Sequence, residues 1–193
     1  HEFPISTAGG FVIFFSFLII FFYFLIFKNI IFLEYLTFCT LIFFIGFADD
    51  IKINIKPKTR LFLMIIFLIV LVNYNNFYLE NTGIEFLNNL IENSKIFSLI
   101  FICLCFLFII NGANLIDGYN GLLVIHSLII LVNLFLINLF GGNNDLANFL
   151  LFGIIILAIF LIFNFPKAKI FLGDGGSYFV GTFIAVSVIQ TSI

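Results

Sequence analysis

The sequence predicts an all-α fold, a bundle of membrane-spanning helices. Its 193 residues are 63% hydrophobic and only 9% charged, and the mean hydropathy is +1.29. A soluble globular domain has roughly 25% charged residues, so this composition is typical of an integral membrane protein. Apolar runs of about the 20 residues that a spanning helix needs recur along the chain. No internal repeat or domain linker separates them, so we expect residues 1–193 to form a single membrane domain.

Seven apolar runs are long enough to be predicted as membrane spans. In chain order they cover residues 10–27, 30–48, 60–77, 95–110, 122–140, 146–165 and 177–193. Between the third and fourth runs, apolar residues at helical spacing over 84–91 predict a short amphipathic surface helix. The chain starts at His1 and stops inside an apolar run. We therefore expect a piece of a longer membrane protein, truncated at both ends.

Cations follow the alternation of these spans. The loops after spans two, four and six fall on one side of the membrane. Six of the eight cations lie on that side: Lys52, Lys56, Lys58, Arg60, Lys167 and Lys169. Because positively charged loops stay inside, we predict that this side faces the cytoplasm and that the membrane is the inner (plasma) membrane. No strongly basic patch or nucleic-acid module appears, which argues against a nucleic-acid partner.

Three polar segments interrupt the apolar chain on this predicted cytoplasmic side. They are residues 46–50 (GFADD), 111–122 (NGANLIDGYNGL) and 171–177 (FLGDGGS). Polar groups at the end of a membrane span are costly to leave unpaired, so such clusters usually mark a site. We predict that the three segments meet at one membrane face and form a metal-dependent phosphoryl-transfer site.

The side chains of the three segments favour a hard metal ion. Together they offer carboxylates and amide oxygens: Asp49, Asp50, Asp117, Asp174, Asn111, Asn114 and Asn120. Oxygen ligands without a His or Cys cluster suit Mg²⁺ or Mn²⁺ better than zinc. Two unit charges 4 Å apart repel by roughly 4 kcal/mol at an effective dielectric of 20. Two phosphate-bearing substrates therefore need metal and cationic neutralisation to approach each other.

Glycines add a second means of holding an anion. Asp174 precedes two glycines and a predicted helix, so free backbone N–H groups there can face an anion. Gly112, Gly118 and Gly121 permit tight turns and close approach of a ligand.

Each segment also has a purely structural interpretation. The Asp pair can simply end a span, Asp174 can cap a helix, and Asn111 and Asn114 can join neighbouring helices through hydrogen bonds. His126, one turn inside the fifth span, is more typical of an inter-helix hydrogen bond than of catalysis. The occurrence of all three segments on one side favours the functional interpretation.

At these residues the chain resembles the polyprenyl-phosphate N-acetylhexosamine-1-phosphate transferase family (glycosyltransferase family 4). Residues 46–50 look like its aspartate-pair motif, and 171–177 look like its GDxGS motif. Residues 111–122 are similar to its long central motif and give the most specific match. Residues 1–10 (HEFPISTAGG) resemble the loop that leads into its second span. The resemblance covers essentially the whole chain, in the family's motif order.

The resemblance implies a reaction and a catalytic set. A sugar-1-phosphate moves from a UDP-N-acetylhexosamine to polyprenyl (undecaprenyl) phosphate and UMP is released, which starts cell-envelope glycans such as peptidoglycan or lipopolysaccharide. Asn114 and Asp174 would hold Mg²⁺, with Mn²⁺ as a substitute. Asp49 and Asp50 would be the catalytic pair, with Asp49 acting on the attacking lipid phosphate, and Asp117 would support catalysis. Direct attack and a two-step route through a covalent intermediate both stay open.

The resemblance also implies contacts with the substrates. Asn120 would contact uridine, and Lys58 or Arg60 would meet phosphate. The predicted substrate-binding residues are therefore Asn111, Asn120, Gly121, Lys58, Arg60, Gly175 and Ser177. Dimers occur in the family, so a homodimer is a further expectation.

The chain departs from the family pattern in three respects. Ile53 stands where members often have Asp or Asn, with Asn54 next, which a one-residue insertion explains. Asn120 replaces an Asp of many bacterial members. Members have about ten or eleven spans, so the first span, the spans after the seventh and a His-rich loop are absent from this sequence.

Two other functions are alternatives. A non-enzymatic membrane transporter or channel would place charges near span midpoints, along a pathway. An intramembrane prenyltransferase would carry two separated D-x-x-x-D clusters, and this chain has neither.

Overall fold

The computed structural model describes residues 6–53, 55–79 and 82–192. Within these ranges the chain is a bundle of α-helices, with one isolated bridge between Ser6 and Ile170 and no named strand. The helices are α1 (Gly9–Tyr23), continued by a π-helical turn (Phe24–Lys28), α2 (Leu33–Asp50), α3 (Pro57–Tyr74), α4 (Glu85–Asn93), α5 (Lys95–Ile116), α6 (Leu122–Phe140), α7 (Asn144–Asn164) and α8 (Gly173–Ser192). The predicted all-α fold is confirmed. Asn54 and residues 1–5, which belong to segments compared with the family motifs, lie outside the described residues.

Each of the seven predicted spans coincides with a helix, and α4 is the predicted amphipathic segment. Five of the described helices are long and apolar enough to cross a membrane: α1 with its π-helical turn, α3, α5, α6 and α7. The two remaining predicted spans are more polar. Helix α2 carries Glu34, Asp49 and Asp50, and α8 is rich in glycine, serine and threonine.

Helix α8 can be more polar because it lies inside the bundle. It packs against α1, α2, α5 and α6, and most of its residues are buried. A helix covered by other helices does not need to present apolar side chains to lipid. Its small residues allow close packing: a Cβ atom added at Gly181 would lie 2.9 Å from Cα of Ile110 on α5. Small residues at such crossings are typical of helix association in membranes.

Aromatic rings fill the interior around α8. Phe14 of α1 stacks on Phe43 of α2 with ring centroids 4.2 Å apart. Farther along the bundle, Phe17 meets Phe179 edge to face at 5.2 Å. Such pairs contribute about 0.5–1.5 kcal/mol beyond the area they bury. These ring pairs pack α1 against both α2 and α8.

Helix ends differ from the predicted spans where the polar segments lie. Helix α5 continues to Ile116, beyond the span predicted to end at 110, and α8 starts at Gly173 rather than 177. Helix α3 starts at Pro57, three residues before the predicted start, with proline in the favoured first turn. Hydropathy reports where the apolar environment ends, whereas the helix continues while its backbone hydrogen bonds are satisfied. Much of the polar sequence is consequently helical.

The ends of four helices meet at one end of the bundle. The start of α1 is tied to the segment before α8, because Gly9 N donates to Phe171 O at 3.0 Å and Gly10 N to Leu172 O at 2.9 Å. The C-terminal ends of α2 and α5 lie beside the start of α8. This agrees with the alternation of spans, which predicts that the three polar segments share one side.

Candidate active site

Three charged side chains from three helices meet at this end of the bundle. Arg60, in the first turn of α3, places Nη1 2.7 Å from Oδ2 of Asp49 and 2.7 Å from Oδ2 of Asp174. The Arg60 side chain is 18% exposed, and those of Asp49 and Asp174 are 38% and 34% exposed. The guanidinium carbon lies 5.3 Å from the centre of the Tyr178 ring, a cation–π contact. One cation therefore joins the aspartate pair of α2 to the aspartate of α8.

Asp50 has a different position from its neighbour Asp49. Its Oδ1 accepts a hydrogen bond from Asp174 N and its Oδ2 one from Gly175 N, both at 2.9 Å. Burial raises the pKa of Asp50 above its ordinary value, and the charges of Asp174 and Asp49 act in the same direction, while these two backbone bonds oppose the rise. The predicted anion-facing N–H groups at the start of α8 are thus present, and the anion they face is the carboxylate of Asp50.

Glycine is required where Asp50 meets α8. A Cβ atom at Gly173 would lie 2.6 Å from Oδ1 of Asp50, and the φ of Gly173 is +73°. At Gly175 a Cβ atom would lie 3.1 Å from Oδ2 of Asp50. The Gly-Asp-Gly sequence therefore allows the carboxylate to approach the backbone of α8. Gly175, predicted to bind substrate, has its N–H engaged by Asp50.

Asp117 follows directly after α5, at the same end of the bundle. Burial raises its pKa to about 7, and the negative charges of Asp174 and Asp50 add to the rise. Its carboxyl is therefore close enough to the other two to sense their charge. A carboxyl that titrates near neutral pH can both hold and release a proton under physiological conditions.

Two asparagines lie on the last turns of α5. Asn111 donates from Nδ2 to Leu107 O at 2.8 Å, within its own helix. The Asn114 side chain is close enough to the Tyr178 hydroxyl on α8 to interact with it. Its amide is thereby placed beside the helix that carries Asp174. Because α5 packs on α8 at Gly181, Asn114 lies on the helix next to Asp174.

The turn between α5 and α6 is fixed by a residue that sequence reasoning missed. Asn164, buried at the end of α7, accepts from Gly121 N at 2.6 Å and donates to Ile170 O at 2.8 Å. Gly121 has a φ of +75°, as expected for a turn glycine, and Asn120 donates to Pro166 O at 3.1 Å. The sequence signal for this role is an asparagine at the end of the sixth apolar run, directly before Phe165 and Pro166. Gly112, by contrast, lies within α5 rather than in a turn.

Other predicted residues are not brought into the charged cluster. Lys58 is exposed, and no ion pair involves it in the described part of the chain. Ser177 is buried and donates to Asp174 O at 3.1 Å. His126 is exposed and lines an apolar groove of about 350 Å³ between α5, α6 and α8. No hydrogen bond from His126 to another helix is found among the described residues, so the predicted inter-helix bond stays a prediction.

The donors at this end fit a hard cation. Carboxylate and amide oxygens are the ligands that Mg²⁺ prefers, and Mg²⁺ usually takes one or two protein carboxylates plus substrate phosphates. Among the described residues no group of three His, Cys, Asp or Glu side chains is arranged to hold a metal ion by itself. Arg60 already provides a positive charge between Asp49 and Asp174. A cation is thus favoured at this point.

The placement of the acids bears on the transporter alternative. Asp49 and Asp50 end α2, Asp117 follows α5 and Asp174 is in the first turn of α8. They gather at one end of the bundle, whereas a transport pathway would require charges along its length.

Comparisons with known proteins show what this chain is similar to. The model of the family described as glycosyl transferase family 4 matches residues 32–192. The chain is 37% identical over 185 residues to the phospho-N-acetylmuramoyl-pentapeptide-transferase of Dictyoglomus turgidum, covering 93% of this chain and 57% of that protein. It is 32% identical over 176 residues to the protein of the same name from Sulfurimonas denitrificans, covering 75% and 49%. The chain thus spans about half the length of the curated relatives it matches.

Proposed function

The chain belongs to glycosyl transferase family 4, and we propose that its protein transfers a sugar-1-phosphate from a UDP-N-acetylhexosamine to polyprenyl phosphate and releases UMP. The observation that carries this proposal is the convergence of Asp49, Asp50 and Asp174, with Arg60 between two of them, at one end of a membrane bundle. Lipid and nucleotide can meet only at such a boundary, because one comes from the bilayer and the other from water.

In the proposed reaction, an oxygen of the lipid phosphate attacks the phosphorus that carries the sugar. A new P–O bond forms there, the pyrophosphate P–O bond breaks, and UMP leaves with the bonding electron pair. Asp49, half-exposed at the end of α2, orients the attacking phosphate and accepts its remaining proton. Asp50 holds the start of α8 in place through its two backbone hydrogen bonds. Asp174 is thereby fixed opposite Asp49.

Further residues neutralise charge and place the nucleotide. Asp174 and Asn114 would hold Mg²⁺, which when bound neutralises the developing charge on the phosphates. Arg60 supplies a fixed positive charge beside them. Asp117 exchanges a proton near neutral pH at the edge of the cluster. Asn120 and Gly121, held by the segment around Asn164 and Pro166, place the uridine.

The relatives support a choice of sugar. The curated relatives reported above are phospho-N-acetylmuramoyl-pentapeptide-transferases. We therefore propose UDP-N-acetylmuramoyl-pentapeptide as the donor, with UDP-N-acetylglucosamine as the second candidate, and cell-envelope glycan synthesis as the process. The excess of cations on the loops of this end supports a cytoplasmic active site in the plasma membrane.

UMP release by the full-length protein tests the proposal. The protein, purified in detergent, is incubated with undecaprenyl phosphate, Mg²⁺ and either donor. UMP is expected with the muramoyl-pentapeptide donor and at a much lower rate with UDP-N-acetylglucosamine. The reverse preference would move the protein to another glycan, and release with neither donor would contradict the transferase assignment.

A further inference from the structure

Arg60 has a position that binding a phosphate does not explain. An arginine that served only to bind phosphate would have its guanidinium free to contact the substrate. In Arg60, one nitrogen instead contacts Asp49 and Asp174 at 2.7 Å each. It thereby fills the point between the two carboxylate oxygens. The guanidinium carbon also lies over the Tyr178 ring, 5.3 Å from its centre. The side chain is only 18% exposed, so the contact is a built part of this end of the bundle.

We propose that Arg60 is a displaceable counter-ion, which occupies the cation position between Asp49 and Asp174 and leaves Asp174 when a divalent cation binds. The inference rests on the proposed function in one respect, that a divalent cation binds at Asp174.

Geometry makes the two cations exclusive. Mg²⁺ holds its oxygen ligands at about 2.1 Å in a near-octahedral shell. The Nη1 atom of Arg60 is 2.7 Å from Oδ2 of Asp174, on the side that also faces Asp49. A metal ion bound between Oδ2 of Asp174 and Asp49 would overlap with the guanidinium in its present place, and their like charges would repel. One of the two must move, and Arg60 has the long flexible side chain.

The surroundings of Arg60 permit that movement. It is the single arginine of the sequence and lies in the first turn of α3, after a loop whose described residues are mostly exposed. The Tyr178 ring provides a cation–π contact that the guanidinium can keep while its nitrogens change hydrogen-bond partners. A released guanidinium can donate two parallel hydrogen bonds to a phosphate. The divalent cation and a diphosphate should therefore favour each other's binding. A bound cation releases Arg60 to contact the diphosphate, and a bound diphosphate holds Arg60 away from Asp174.

Binding of Mn²⁺ to the full-length protein without substrates tests the displacement. Free Mn²⁺ is measured by electron paramagnetic resonance for the wild type and for Arg60→Gln, Lys58→Gln and Asp174→Asn. If Arg60 competes with the metal, Arg60→Gln should bind Mn²⁺ at least tenfold more tightly than the wild type. Lys58→Gln removes the same charge two residues before Arg60. The Lys58 side chain is exposed and forms no ion pair with the described residues, so the Mn²⁺ affinity of this variant should change less than threefold. Asp174→Asn should lose the site.

Three results would overturn the proposal. An Arg60→Gln affinity equal to or weaker than that of the wild type would show that the arginine does not compete. An equal gain in Lys58→Gln would show a long-range charge effect. Unchanged binding in Asp174→Asn would place the metal elsewhere. None of these results depends on turnover. If the exchange is observed but no UMP is released, the proposed function is contradicted and the displacement of Arg60 is not.

A measurement on the wild type covers the case in which Arg60→Gln does not fold. Phenylglyoxal modifies free guanidinium groups, and the modified peptide that contains Arg60 can be quantified by mass spectrometry. Saturating Mn²⁺ should increase the modification rate of Arg60 at least threefold, and Asp174→Asn should abolish the increase. A rate that Mn²⁺ leaves unchanged or lowers would overturn the displacement.

Discussion

Adjacent residues have separate tasks in this site. Asp49 and Asp50 are neighbours at the end of α2, yet Asp49 faces Arg60 and Asp50 faces the backbone of α8. Residues one apart on a helix point about 100° away from each other, which separates the two carboxylates. The pair that the sequence presents as one motif is therefore one exposed reactive group and one group that caps a neighbouring helix.

Removing the Asp50 carboxylate should destabilise the protein. Asp50→Ala leaves the N–H groups of Asp174 and Gly175 without their partner, and an unpaired part-buried donor costs about 1–3 kcal/mol. Thermal unfolding in detergent should show a clear loss of stability for Asp50→Ala. Asp49→Ala, which breaks a partly exposed ion pair, should cost less than about 1 kcal/mol. Equal losses in the two variants would contradict the division of tasks.

Asp117 should make stability depend on pH. Its pKa is raised from 3.8 to about 7 in the folded protein, so the folded state binds the proton more tightly than the unfolded state. This contribution is fully present below pH 3.8 and is lost as pH rises through 7. Relative to Asp117→Asn, the wild type should therefore lose stability between pH 4 and 8, measured by thermal unfolding with EDTA. A constant difference across that range would contradict the raised pKa.

At the scale of helices, close approach of α2 and α8 brings the carboxylates together. Gly46 lies against the first turn of α8, where a Cβ atom would be 2.5 Å from Asp174 O. One helical turn later α2 presents Asp49 and Asp50 to the same turn. Deeper in the bundle, Tyr35 Oη donates to Ser187 Oγ at 3.0 Å between the same two helices. These contacts determine how far Asp50 is from the backbone of α8.

A methyl group at Gly46 should separate the two helices. Gly46→Ala would overlap the backbone of α8, which cannot yield as a flexible side chain would, so both thermal stability and UMP release should fall strongly. Gly112→Ala is the matched control, since nothing lies within 4 Å of a Cβ atom there and alanine favours a helix. It should be neutral or slightly stabilising. Tolerance of Gly46→Ala would mean that α2 and α8 are not held this closely.

Part of this arrangement could be predicted from the sequence. Apolar runs located all seven long helices, and their alternation placed the three polar segments at one end. The partners could not be predicted, because they depend on packing between distant segments. Nothing in the residues around Asp50 shows that its carboxylate caps α8, and nothing near Asn164 shows that it holds Gly121. Charge and spacing indicate which groups gather, while only the packed bundle determines which oxygen faces which donor.

For the whole molecule, the carboxylates gather at one end of a bundle of mostly apolar helices. Apolar side chains such as Phe108 and Phe140 remain exposed along α5 and α6, as expected for surfaces that lipid covers. The central helix α8 instead carries glycine, serine and threonine, and Asp174 lies in its first turn at the end of the bundle. The fold thus places one acidic residue of the buried helix at the end of the bundle, beside the acids of α2.

Substitution of the converging carboxylates is the most direct test of a single transferase site. In the full-length protein, UMP release from the UDP-linked donor with undecaprenyl phosphate and Mg²⁺ is measured for Asp49→Asn, Asp174→Asn and Asp145→Asn. Asp145 is exposed in the first turn of α7, at the other end of the bundle. The account predicts that Asp49→Asn and Asp174→Asn each abolish release while the protein still inserts in the membrane, and that Asp145→Asn keeps wild-type rates. Wild-type turnover in both of the first two variants would contradict it.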